Sequence, residues 1–120
     1  MTSQESGKRP PAHLVVLCGS QEGRVVPLEA EETLVGRSPK VDLALADEGV
    51  SREHALLSYD EAAGAWTLED LQSTNGTRVN GKRVRSRALT PGDEIQIGNV
   101  RLTFAAGEAA GGSSRSGTTR

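Results

Sequence analysis

A chain of 120 residues with a formal net charge of -2 and 35% hydrophobic residues has room for one ordinary core and no second domain. Its single cysteine rules out an internal disulfide, and with only two histidines beside it the usual structural zinc sets cannot be assembled. The slight negative charge and the lone Trp, Tyr and Phe argue against nucleic acid, and apolar runs as short as Leu14 to Cys18 exclude a membrane-spanning helix. Solubility and a cytoplasmic location are the expectation.

Residues 1–11 are polar, carry Pro10-Pro11 and show no hydrophobic period, so a disordered arm is expected there. A folded domain over residues 12–106 follows, and the Gly-, Ala-, Ser- and Thr-rich stretch 107–120 reads as a flexible tail. Within the domain, Leu14 to Cys18 is a buried strand, with Cys18 a small buried hydrophobe. Residues 19–23 turn it into a second strand, Arg24 to Leu28. Glu29 to Glu32 is too short to sustain a helix, and Thr33 to Val35 resumes strand-forming types, ending at Gly36-Arg37. Val41 to Leu45, His54 to Tyr59 and Ala65 to Asp70 are the next strands, with Trp66 assigned to the core.

Leu71 to Gly81 is too polar for a core strand and holds two Asn-Gly pairs, so it is expected to be a recognition loop followed by a tight turn at Asn80-Gly81. Thr77 to Val79 and Arg83 to Arg85 flank that turn. Arg87 to Leu89, Glu94 to Ile97 and Val100 to Phe104 complete the pattern, with Pro91-Gly92-Asp93 and Gly98-Asn99 as turns. About 10 or 11 short strands separated by frequent turns predict an all-β fold, an antiparallel β-sandwich with its recognition loops at one end.

Gly36-Arg37, Ser51-Arg52-Glu53-His54, Ser73-Thr74-Asn75-Gly76-Thr77 with Val79-Asn80-Gly81, and Pro91-Gly92-Asp93 with Ile95 to Gly98 fall in one order along the chain. In these motifs and their spacing the chain resembles the forkhead-associated (FHA) family, small β-sandwiches that bind phosphothreonine peptides, and the resemblance runs from about Leu14 to Phe104. It implies that Arg37, Ser51, Arg52 and Thr74 contact the phosphothreonine and that Asn75 hydrogen-bonds the ligand backbone. It also implies that Gly36, His54 and Gly76 support the site and that phosphothreonine is preferred to phosphoserine. The chemistry agrees: a nearly doubly charged phosphate with three acceptor oxygens needs fixed cations and neutral donors converging on one point.

The partner implied is a phosphothreonine-containing protein or peptide, such as a Ser/Thr kinase or its substrate, with no cofactor and no metal. Small bacterial members of the family close on their own phosphorylated arm, and here Thr2, Thr118 and Thr119 are the tail threonines for such self-association. Two rivals come from the same residues. Ser51, His54 and Asp70 can be drawn as a hydrolase triad, but no nucleophile elbow or oxyanion loop accompanies them, so no enzyme is expected. Arg78, Lys82, Arg83, Arg85 and Arg87 crowd a stretch without acids, which suits a basic nucleic-acid-binding hairpin, the regulatory domain of a larger transcription factor, or a ribbon beside the peptide groove that favours acidic ligands.

Overall fold

The computed structural model describes residues 11–106, and no helix forms among them. Eleven strands do: β1 (Ala12–Cys18), β2 (Val25–Pro27), β3 (Glu32–Gly36), β4 (Leu43–Ala44), β5 (Ala55–Asp60), β6 (Ala65–Asp70), β7 (Thr77–Val79), β8 (Lys82–Val84), β9 (Ser86–Ala88), β10 (Glu94–Ile97) and β11 (Val100–Ala106). They build a six-stranded sheet, β2-β1-β11-β10-β7-β8, and a five-stranded sheet, β4-β3-β5-β6-β9.

Period-two alternation decides what lies between the sheets. Leu14 and Val16 of β1, Leu102 and Phe104 of β11, and Ile95 and Ile97 of β10 are buried from one side; Val35, Ala55, Leu57, Trp66 and Leu68 are buried from the other. Trp66 is a core residue, 3% exposed, with Tyr59 packed edge-on at 5.4 Å between ring centroids. Such pairs favour this T-shaped contact because the ring edge is positive and the face negative. No helix among the described residues is long and apolar enough to cross a membrane.

Two expectations need correction. Cys18 is exposed. The β1–β11 register slips between Val16 and Cys18, and a bulge of this kind breaks the alternation, leaving Leu17 and Cys18 both outside the core. The second concerns β4, which is only Leu43–Ala44 and pairs parallel to β3, through Val35 with Leu43 and Gly36 with Ala44. A parallel neighbour so close in sequence needs a stapled return. The Asp42 carboxylate supplies it by accepting the Leu34 N–H at 2.8 Å, and the Leu45 N–H donates to the Gly36 carbonyl at 2.7 Å. The other strand pairs whose register is resolved are antiparallel.

The Asn80-Gly81 hairpin forms as the dipeptide demands, with φ of 53° and 86°, because a two-residue turn between twisted strands calls for left-handed backbone at both positions. Asn80 also fastens β7 to the turn before β10: its amide donates to Asp93 Oδ1 at 2.9 Å and its oxygen accepts the Glu94 N–H at 2.9 Å. The segments after β3, before β5 and between β6 and β7 meet at one end of this frame.

Candidate functional site

Where β3 ends, Gly36 and Arg37 run beside the segment that leads into β5. The Arg37 N–H donates to the Ser51 carbonyl at 2.9 Å and the Ser38 N–H to the Arg52 carbonyl at 3.2 Å. That approach leaves no room at position 36. A Cβ there would lie 2.0 Å from the Arg52 carbonyl oxygen, so only glycine fits.

His54 joins this pair of segments to the recognition loop. Its ring is fully buried; Nδ1 accepts the Ser51 N–H at 3.0 Å, which assigns the ring proton to Nε2, and Nε2 donates to the Gly76 carbonyl at 2.9 Å. The loop answers directly as well: the Thr74 N–H donates to Ser51 Oγ at 3.0 Å and the Asn75 amide to the Gly49 carbonyl at 2.9 Å. Because Ser51 Oγ accepts that bond, its own proton stays available to a ligand oxygen.

Asp70 shapes the loop from inside. It accepts the Ser73 hydroxyl at 2.5 Å, the Thr77 hydroxyl at 2.7 Å and the Ser73 N–H at 3.2 Å, while Ser73 Oγ accepts the Gly76 N–H at 2.9 Å. Burial pushes the Asp70 carboxyl up, but the hydrogen bonds from Ser73 and Thr77 outweigh it and hold the group below the usual carboxylate range. In the sequence Asp70 stands out only as a candidate triad carboxylate, not as the centre of this loop. Its signal was there in Asp70-Leu-Gln-Ser73, the spacing at which a carboxylate folds the following backbone back onto itself.

Arg37, Ser51, Thr74 and Asn75, which come from three separate segments, border one open cavity of about 360 Å³ together with Asp47 and Gly49. Arg37 Nε donates to the Val50 carbonyl at 3.1 Å, which anchors the guanidinium at the rim while its terminal amino groups remain as donors. Asp47 and Glu48 bring opposing charges to the cavity's border. The two oxygens of Asp47 accept the Ser20 N–H at 2.7 Å and the Ser20 hydroxyl at 2.6 Å. Arg52 does not line the cavity; its side chain is exposed and its carbonyl serves the backbone contact with Ser38.

A larger depression of about 1130 Å³ lies between Leu71-Gln72-Ser73 and Arg83 to Ser86. Its arginines Arg83 and Arg85 share it with Glu69 and Asp70, and of the residues singled out for phosphate contact none lines it, whereas Arg37, Ser51, Thr74 and Asn75 all border the smaller cavity. Nor do Ser51, His54 and Asp70 make a triad. His54 faces the Ser51 backbone rather than its hydroxyl, and Asp70 is spent on Ser73 and Thr77.

Residues 33–98 match the protein-family model described as FHA domain. An oxoglutarate dehydrogenase inhibitor from Corynebacterium efficiens is 44% identical over 99 residues, covering 82% of this chain and 68% of that protein. The glycogen accumulation regulator GarA of Mycolicibacterium smegmatis is 42% identical over 96 residues, which span 80% of this chain and 60% of the relative. A solved structure from a structural and functional study of phosphothreonine-dependent FHA domain interactions superposes with a TM-score of 0.71 at 34% identity, covering 79% of this chain and 95% of that one.

Proposed function

Because the chain belongs to the forkhead-associated (FHA) domain family, we propose that it is a phosphothreonine-dependent interaction module in bacterial Ser/Thr-kinase signalling, working in the cytoplasm without catalysis. One observation carries this: Arg37, Ser51, Thr74 and Asn75 converge on a single cavity, held there by His54 and Gly36 from behind. Arg37 supplies the charge, Ser51 and Thr74 the neutral donors to phosphate oxygens, and Asn75 a main-chain contact with the ligand. Arg52 adds its guanidinium only from the flank, over a ligand already in place.

A dianionic phosphate gains from such a set because charge-assisted hydrogen bonds are about twice as strong as neutral ones. A short extended peptide buries little surface, so the expected affinity is around micromolar, on the order of -8 kcal/mol. The partner is a phosphorylated kinase or kinase substrate. Self-association through Thr2, Thr118 or Thr119 lies outside the described residues.

Titration of degenerate peptides fixed at phosphothreonine, phosphoserine or unmodified threonine tests the function. Phosphothreonine is expected to bind tightest and bare threonine not to bind. Equal association of all three peptides would overturn the reading.

A further inference from the structure

Arg78, Lys82, Arg83, Arg85 and Arg87 follow the recognition loop, and the phosphate cavity uses none of them. The register of the six-stranded sheet sorts these cations. Arg83 stands opposite Arg78, Arg78 opposite Gln96, and Gln96 opposite Arg101. Three arginines and an amide therefore form one row across β8, β7, β10 and β11 on the outer face of the sheet, and the three arginines are exposed.

Like charges directly across a strand pair are destabilising, so such a row costs the fold something. Arg101 is relieved by Glu94 at 3.5 Å. Arg78 and Arg83 have no side-chain hydrogen bond or ion pair among the described residues. Arg83 lies against the recognition loop: a Cβ on Gly76 would fall 2.5 Å from Arg83 Nε, so the absence of a side chain at 76 lets this guanidinium approach the loop that carries Thr74 and Asn75.

The row is also continuous with the phosphate cavity. A second cavity, about 560 Å³, is lined by Arg78, Gln96 and Asn99 and shares Glu48, Gly49 and Asn75 with the first. Glu48 is the one acid bordering both. A chain that leaves the phosphate pocket over Asn75 thus runs onto Arg78 and Gln96, the middle of the row. Strands about 4.8 Å apart make the row roughly 14 Å long, which about four or five extended residues would span.

We propose that this row is a specificity surface for an acidic segment, several Asp or Glu residues beside the phosphothreonine of the same partner; the inference rests on the phosphothreonine function above. Charge complementarity and the shared cavity wall choose this occupant. Nucleic acid would need the basic field that a chain of net charge -2 does not project.

The test uses three phosphothreonine peptides, one with neutral flanks, one with four glutamates on the N-terminal side and one with four on the C-terminal side. One of the acidic peptides is expected to bind about tenfold tighter than the neutral one at low salt, with the advantage fading as salt is added. The double variant Arg78→Gln, Arg101→Gln should bind the neutral peptide as the parent does and lose that advantage. Acidic peptides no tighter than the neutral one would overturn the proposal, as would an advantage that survives in the variant. A mixed-sequence DNA duplex that displaces the acidic peptide through the same arginines would also overturn it. Failure of the neutral phosphopeptide to bind at all would instead bring down the phosphothreonine function and the row's role with it.

Discussion

Gly36 and Arg37 are neighbours with separable duties. A methyl at position 36 would press into the Arg52 carbonyl, 2.0 Å from where the Cβ would sit, and a backbone atom cannot swing aside as a side-chain end can. Gly36→Ala is therefore expected to cost about 1–3 kcal/mol in chemical denaturation and to weaken phosphopeptide binding along with it. Arg37 is exposed and its one side-chain bond in the fold is to the Val50 carbonyl. Arg37→Ala should leave the unfolding free energy within about 1 kcal/mol of the parent yet lose roughly 2–5 kcal/mol of phosphopeptide affinity, read by calorimetric titration. Unchanged affinity would remove Arg37 from the site. Both residues stand out in the sequence only in company, because Gly36-Arg37 falls in order with Ser51 to His54 and Ser73 to Thr77, while an isolated Gly-Arg pair says little. The exposure of Cys18 could not be read there, since its outward turn comes from a register slip against β11, eighty residues further along the chain and invisible in the local alternation.

The β6–β7 connection is the element on which the site's shape depends. Ser73 and Thr77 fold around Asp70, and its carboxylate does what a buried apolar contact does elsewhere in the sandwich. Asp70 titrates below the ordinary carboxylate value of about 3.9 in the folded state. Its contribution to stability is thus fully present above that value and disappears as the pH falls through the lowered one. Asp70→Asn should lose about 1.5–3 kcal/mol at pH 7, with the gap to the parent closing in acid, where both proteins carry an uncharged group. Urea titrations from pH 7 down to pH 3 check this; a gap independent of pH would show that shape rather than charge is at stake. Asp93, held low despite burial by Thr90 and Asn80, leaves the parent a second acid-sensitive turn. The strands around these turns were legible because their apolar residues recur every second position and Asn80-Gly81 names its own turn. The loop's interior carried only the Asp70-Leu-Gln-Ser73 spacing as a local signal, and the Thr77 bond to Asp70 and the Gly76 bond to Ser73 had none, since hydroxyls and carboxylates look alike as solvated loop residues until their partners are known.

At the scale of the molecule, the sandwich acts as a rigid frame whose sheet order no local pattern reveals. Nothing in Ala12–Cys18 says that it pairs with the last strand rather than only with its hairpin partner, and that pairing depends on contacts made across the whole length of the domain. Because the frame holds the rim segments together before any ligand arrives, binding should appear as added stability rather than as refolding. A phosphothreonine peptide at about one hundred times its Kd would add roughly 2.7 kcal/mol. For a domain near this size each kcal/mol raises Tm by about 4–8 °C. The increment should shrink as the pH drops from 7 to 5, because the phosphate regains its second proton near pH 6 and one of the two charges facing Arg37 is lost. Scanning calorimetry with and without peptide across that interval gives the answer, and an equal Tm shift at both pH values would mean that the ligand's second charge is not felt at the rim. Asp70 and Asp93 do not confuse the measurement. Both stay ionised throughout that interval, since their titration is displaced to more acid values, so these two carboxylates add no pH dependence of their own while the ligand's charge changes, and the peptide-free scans at each pH supply the baseline.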